Sequence, residues 1–134
     1  MRAYYPPMDV RDELRYSAEH EWVAVDGPRA RVGITDYAQD ALGDVVYVDL
    51  PDVGANVIAH ASCAEVESTK SVSEIFSPVT GTVVETNESL TDAPEQLNRD
   101  PYGAGWIFVV KMANPTELDV LLDAAGYRAL LDAE

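Results

Sequence analysis

Apolar and polar positions alternate along much of this chain with the period of two that marks half-buried β-strands. The alternation comes in short bursts separated by Gly, Pro, Asn and Asp. Strands are predicted over 21–25 and 30–34, joined through Asp26-Gly27-Pro28, a hairpin connection. Further strands are predicted over 44–50, stopping at Pro51-Asp52, and over 56–59, 63–67, 73–76, 81–85 and 106–111. Thr35 is placed to cap a short helix running through Leu42, with Asp36 in the favourable first turn and Gly43 as the stop.

Two segments break the rhythm. Residues 87–102 mix Asn, Asp, Glu and Pro and read as a long surface loop, with one turn around Glu95-Gln96-Leu97. Asn114-Pro115-Thr116-Glu117 reads as a helix start, with Asn114 as N-cap, Pro115 in the first position and Glu117 as the capping-box acid. Leu118, Leu121 and Leu122 form its apolar stripe, and Gly126 is expected to interrupt it before a last helix over 127–131. The fold class is therefore mainly β with small peripheral helices, either a sandwich or a flattened barrel. Residues 1–13, which include Tyr4-Tyr5-Pro6-Pro7, are expected as an irregular lead-in to a single domain over 14–134.

Composition narrows the function. At 134 residues with 47% hydrophobic and 25% charged positions, the chain suits one core. Runs such as Trp106-Ile107-Phe108-Val109-Val110 fall far short of the roughly 20 apolar residues that span a bilayer. The start has no apolar signal core and carries Asp9 and Asp12, so a cytoplasmic setting is expected. A net charge of −15 argues against nucleic acid and anionic membranes as partners, and suits docking on basic patches of larger proteins. The single cysteine, Cys63, permits no intrachain disulfide and is expected as an inert, buried thiol. His20 and His60 lie far apart and form no metal-binding spacing. No Gly-rich strand-to-helix turn supports a nucleotide fold, and no nucleophile–base set suggests a hydrolase.

The chemistry concentrates in Glu65-Val66-Glu67-Ser68-Thr69-Lys70-Ser71-Val72-Ser73-Glu74-Ile75. Alternating strands enter and leave a polar tip, which predicts a hairpin with Lys70 near its apex. An exposed lysine among small side chains meets the needs of acylation on its ε-amine. Lys70 is also one of only two lysines, the other being Lys111.

The segment Val66-Glu67-Ser68-Thr69-Lys70-Ser71-Val72-Ser73 resembles the lipoylation motif of glycine cleavage H proteins. Similar blocks follow in the family's order over about residues 14–133: Ser17-Ala18-Glu19-His20-Glu21-Trp22, Val32-Gly33-Ile34-Thr35-Asp36-Tyr37-Ala38-Gln39, Leu42-Gly43-Asp44-Val45-Val46, Ser77-Pro78-Val79-Thr80-Gly81, Asn98-Arg99-Asp100-Pro101-Tyr102-Gly103 and Leu121-Leu122-Asp123. Biotin carriers differ in having a Met-Lys-Met context. Lipoyl domains of 2-oxoacid dehydrogenases usually carry Asp-Lys-Ala and lack the flanking blocks.

The resemblance implies a carrier of glycine catabolism without catalysis of its own. Lipoate would be amide-linked to Lys70 by a lipoate-attaching enzyme that recognises the flanks Glu67, Ser68 and Thr69. An aminomethyl group would pass from a pyridoxal-phosphate glycine decarboxylase (P protein) to an aminomethyltransferase (T protein), and dihydrolipoamide dehydrogenase (L protein) would reoxidise the dithiol. By the same resemblance Glu21, Glu74 and Glu19 line a cleft that shelters the loaded group. Departures from the pattern are His60 and Ala64 at usual glycines, Cys63 at a usual aromatic, and Ala41 near a position where some relatives have histidine. A lipoyl donor for other complexes and an unmodified acidic binding module remain as alternative readings.

Overall fold

The computed structural model describes residues 8–134, so the Tyr4-Tyr5-Pro6-Pro7 stretch lies outside the described residues. Among the described residues, nine strands form two antiparallel sheets: β1 (Arg15–Tyr16), β2 (Glu21–Asp26), β3 (Arg29–Ile34), β4 (Val45–Asp49), β5 (Asn56–Val57), β6 (Ser62–Ser68), β7 (Val72–Phe76), β8 (Gly81–Thr86) and β9 (Phe108–Met112). The larger sheet runs β1-β2-β3-β9-β8-β5 and the smaller β4-β6-β7. Both are open, so the sandwich is the form the chain adopts.

Alternation builds the core between the sheets. Val23, Val32, Ile34, Val66, Ile75, Val83, Phe108 and Val110 turn inward and form one buried cluster. A second cluster lies outside the large sheet, where Tyr16, Trp22, Tyr127 and Leu131 meet under the C-terminal helix. Tyr16 and Tyr127 stack with ring centroids 4.4 Å apart and planes within 4°. Each such aromatic withdraws enough apolar area from water to contribute about 2–3 kcal/mol. Trp22 closes the cluster by donating its indole N–H to the Pro101 carbonyl at 3.0 Å. Its ring lies so near Gly33 that an added Cβ would sit 2.6 Å from it, so this position must lack a side chain. Met8 and Val10 pack against this cluster, and Arg128 Nη2 donates to the Val10 carbonyl at 3.0 Å.

Among the described residues, four α-helices trim the sandwich: α1 (Asp36–Leu42), α2 (Ser89–Asp92), α3 (Gln96–Arg99) and α4 (Ala124–Ala133). The α1 caps are as expected, with Thr35 Oγ1 accepting from the Ala38 amide at 3.2 Å and Gly43 ending the helix at φ 79°. The 87–102 loop differs from expectation, because it folds into two short helices around buried Leu90 and Leu97. Residues Pro115–Val120 form a 3-10 helix capped by Asn114. Glu117 closes no capping box there. Its carboxylate instead accepts from the Thr80 amide and hydroxyl, both at 2.8 Å. Gly126 does not interrupt a helix; it lies in the first turn of α4 and donates its amide to the Asp123 cap at 2.8 Å.

Candidate carrier site

Strands β6 and β7 form the hairpin, and residues 68–71 form its tip. The Ser68 amide donates to the Ser71 carbonyl at 2.8 Å, closing the turn. Ser68 Oγ then accepts from the amides of Lys70 (3.3 Å) and Ser71 (3.1 Å), so one serine clasps the whole apex. Lys70 and Thr69 are exposed there, and Lys70 forms no ion pair among the described residues.

The tip is also held from the side. The Thr69 amide donates to the Asp44 carbonyl at 3.0 Å, tying the turn to the loop between α1 and β4. That loop is fixed by Asn98 on α3, whose Nδ2 donates to the Gly43 carbonyl (2.8 Å) and Gln39 Oε1 (3.1 Å) while Oδ1 accepts from the Val45 amide (2.9 Å). The Lys70 stem lies across Gly43, where an added Cβ would stand 3.3 Å from Lys70 Cε. Gly43 thus serves both the left-handed backbone and the close approach.

The outer face of the hairpin carries acids in register. Glu67 stands opposite Tyr47 and Val72, and Glu65 stands opposite Asp49 and Glu74. Glu74 is exposed on β7, two positions before Phe76 and therefore on the same face. At the foot of the hairpin the Phe76 amide donates to Glu21 Oε2 at 3.1 Å. At about 3.3 Å per residue this foot lies roughly 20 Å from the Lys70 tip.

Glu21 is only 1% exposed. Its Oε1 accepts from Ser17 Oγ at 2.5 Å, and its own amide donates to the same oxygen at 3.0 Å. Burial pushes its carboxyl up to about 7, against the opposing pull of the Ser17 and Phe76 bonds and with help from the charge of Glu19. Glu19 itself is exposed and lies 3.8 Å from His60 Nδ1. Glu21, Glu19 and the Phe76 end of β7 thus converge at the foot, while Glu74 stands part-way to the tip. Cys63 is half-buried beside them; burial, then the Glu21 charge, raises its thiol to about 12, which keeps it unreactive.

His60 stands at φ 69°, a left-handed conformation that favours glycine. Ala41 is exposed on α1 and contributes no polar group. Sequence reasoning left two participants without a role, Ser17 and Asn98, and read Gly43 only as a helix stop. Ser17 signals itself only by its spacing of four from Glu21 across a tight turn. Asn98 carries no local signal, since its partners lie 53 to 59 residues away.

A β-sandwich that lifts an exposed lysine onto a clasped hairpin tip has the architecture of a carrier domain. A family model described as Glycine cleavage H-protein matches residues 14–134. The Glycine cleavage system H protein of Beutenbergia cavernae is 57% identical over 127 residues, covering 95% of this chain and 100% of that one. That of Nocardia farcinica is 58% identical over 125 residues, covering 90% and 95% respectively. The crystal structure of the glycine cleavage system H protein from Mycobacterium marinum superposes with a TM-score of 0.85 at 41% identity, covering 92% of this chain and 99% of that one. The chain belongs to the glycine cleavage H-protein family, the non-catalytic lipoyl shuttle of the glycine cleavage system.

Proposed function

We propose that Lys70 is the residue of this chain that carries lipoate, as an N6-amide, with Glu67, Ser68 and Thr69 as the flanks read by the attaching enzyme. The observation that carries this reading is the Ser68-clasped tip, which holds Lys70 exposed and spends no charged partner on it. Acylation consumes the neutral amine, and an exposed tip allows the lysine to enter a deep active site in either protonation state. When bound, lipoate would supply a disulfide that accepts the aminomethyl group on one sulfur as the S–S bond is reduced, leaving a dithiol for reoxidation once the group has been passed on. In this reading the carrier serves glycine decarboxylase, aminomethyltransferase and dihydrolipoamide dehydrogenase in turn, in the cytoplasm. Residues 14–134 act as the single carrier domain and 1–13 as its lead-in.

Glu21, Glu74 and Glu19 form the sheltering cleft in the same proposal. A cationic amine lowered along the outer face of β7 meets Glu74 first and Glu21 at the foot. In its ionised form Glu21 keeps acceptor capacity beyond its bonds to Ser17 and Phe76, and its buried setting strengthens any charge-assisted bond it makes. Glu19 adds negative potential beside it. The lipoylated chain, mixed with glycine decarboxylase, is expected to support decarboxylation of glycine, and the Lys70→Arg chain is expected to support none. Decarboxylation by the Lys70→Arg chain would remove the assignment. Glu21→Ala is expected to shorten the lifetime of the loaded carrier several-fold, followed as released formaldehyde; an unchanged lifetime removes the cleft role.

A further inference from the structure

Large apolar side chains gather in the open beside the Lys70 tip. Val46, Tyr47 and Val72 are 52%, 51% and 61% exposed, three of the seven most exposed large hydrophobics among the described residues. Tyr47 and Val72 flank Glu67 from the two neighbouring strands, so the three side chains form one transverse row on one face of the small sheet. Val46 stands next to this row, where the register of β4 slips between Val45 and Tyr47. Singly scattered apolar residues need no explanation, but a cluster of this kind marks a contact surface.

One row further from the tip, Asp49, Glu65 and Glu74 stand directly opposite one another across all three strands. Like charges in register oppose sheet formation, so folding does not account for this row. It is complementary to a basic partner.

We propose that Val46, Tyr47 and Val72 are the apolar centre, and the Asp49–Glu65–Glu74 row the acidic margin, of the surface on which the enzyme that acylates Lys70 docks. The inference rests on Lys70 being the modified residue. An ordinary protein interface covers about 800 Å² on each partner. An enzyme that closes on Nζ of Lys70 must therefore cover Val72, two positions away in the chain, and the row that includes it. The occupant presents an apolar pocket for Tyr47 and Val72, rimmed by Arg or Lys that face the acidic row. Exposed apolar anchors inside a charged rim are the arrangement in which a few residues carry most of the binding.

The test is steady-state lipoylation of the unmodified full-length chain by a purified lipoate ligase with lipoate and ATP. Tyr47→Ser with Val72→Thr is expected to raise the KM for the carrier on the order of tenfold, with kcat within about twofold of the parent. Asp49→Asn with Glu65→Gln is expected to raise KM and to flatten its increase with salt. Unchanged thermal melting of each variant shows that the fold is intact; both substitutions lie on an exposed face, and Val72→Thr alone keeps the shape of the side chain. A KM unchanged in the Tyr47/Val72 double variant overturns the proposal while leaving Lys70 as the acceptor. So does an effect confined to glycine decarboxylation, which would place the decarboxylase on this surface. A parent chain that accepts no lipoyl group at Lys70 overturns both readings.

Discussion

Glu21 is the one buried carboxyl group among the described residues, and its setting makes the fold sensitive to pH. Burial moves it from an ordinary 4.5 up to about 7. Between those values the folded chain binds more protons than the unfolded chain. Its stabilising contribution is complete below about 4.5 and is lost as the pH rises through about 7. The amount at stake is on the order of 3 kcal/mol. Glu21→Gln keeps the shape and removes the titration. Urea unfolding of the Gln variant is expected to lose less stability than the parent between pH 5 and pH 8, and parallel losses would show that Glu21 is not the titrating group. His60 offers a second test at the same scale. Its left-handed backbone costs about 1 kcal/mol in a residue with a Cβ, and its exposed pairing with Glu19 returns little. His60→Gly is expected to raise the unfolding midpoint; a lower midpoint would mean that the side chain contributes more than its strain.

Elements with a local code were legible in the sequence, and elements defined by distant partners were not. Helix α1 declares itself through Thr35 and Gly43, and β6 and β7 through their alternation, so the hairpin and Lys70 at its apex follow from the residues alone. Helices α2 and α3 have four residues each and no side-chain cap, so they leave no apolar period to read. Strand β1 has two residues, too few to alternate. Glu117 missed its expected box because Thr80 offers two donors from another element. Gly126 is tolerated in α4 because Asp123 accepts its amide, which offsets part of the cost of about 1 kcal/mol for a helical glycine. Asn98 is the strongest example, since three bonds from one side-chain amide on α3 position the α1–β4 connection under the tip. Asn98→Ala is expected to destabilise the chain by about 2–3 kcal/mol and to increase amide hydrogen exchange at Val45. Unaltered exchange there would show that the loop is held by other contacts.

At the scale of the whole molecule, a charge of −15 on 134 residues makes the carrier strongly acidic. Docking on larger enzymes is then expected to weaken as salt rises, because exposed charges are screened beyond about 8–10 Å at moderate ionic strength. No described helix is long and apolar enough to cross a membrane. The sandwich gives Lys70 its base and the hairpin gives it reach, and in the proposed function the acids at the foot hold the carried group. Lys111, the only other lysine, is exposed on β9, where it stands opposite Thr82 and Arg29 within the large sheet and not at a hairpin tip. That contrast makes peptide mapping of the protein isolated from lipoate-replete cells the most direct test. Mass spectrometry is expected to find one lipoyl group, on the peptide that contains Lys70, and none on the Lys70→Arg protein. A lipoyl group on Lys111, or on the Lys70→Arg protein, would contradict the account.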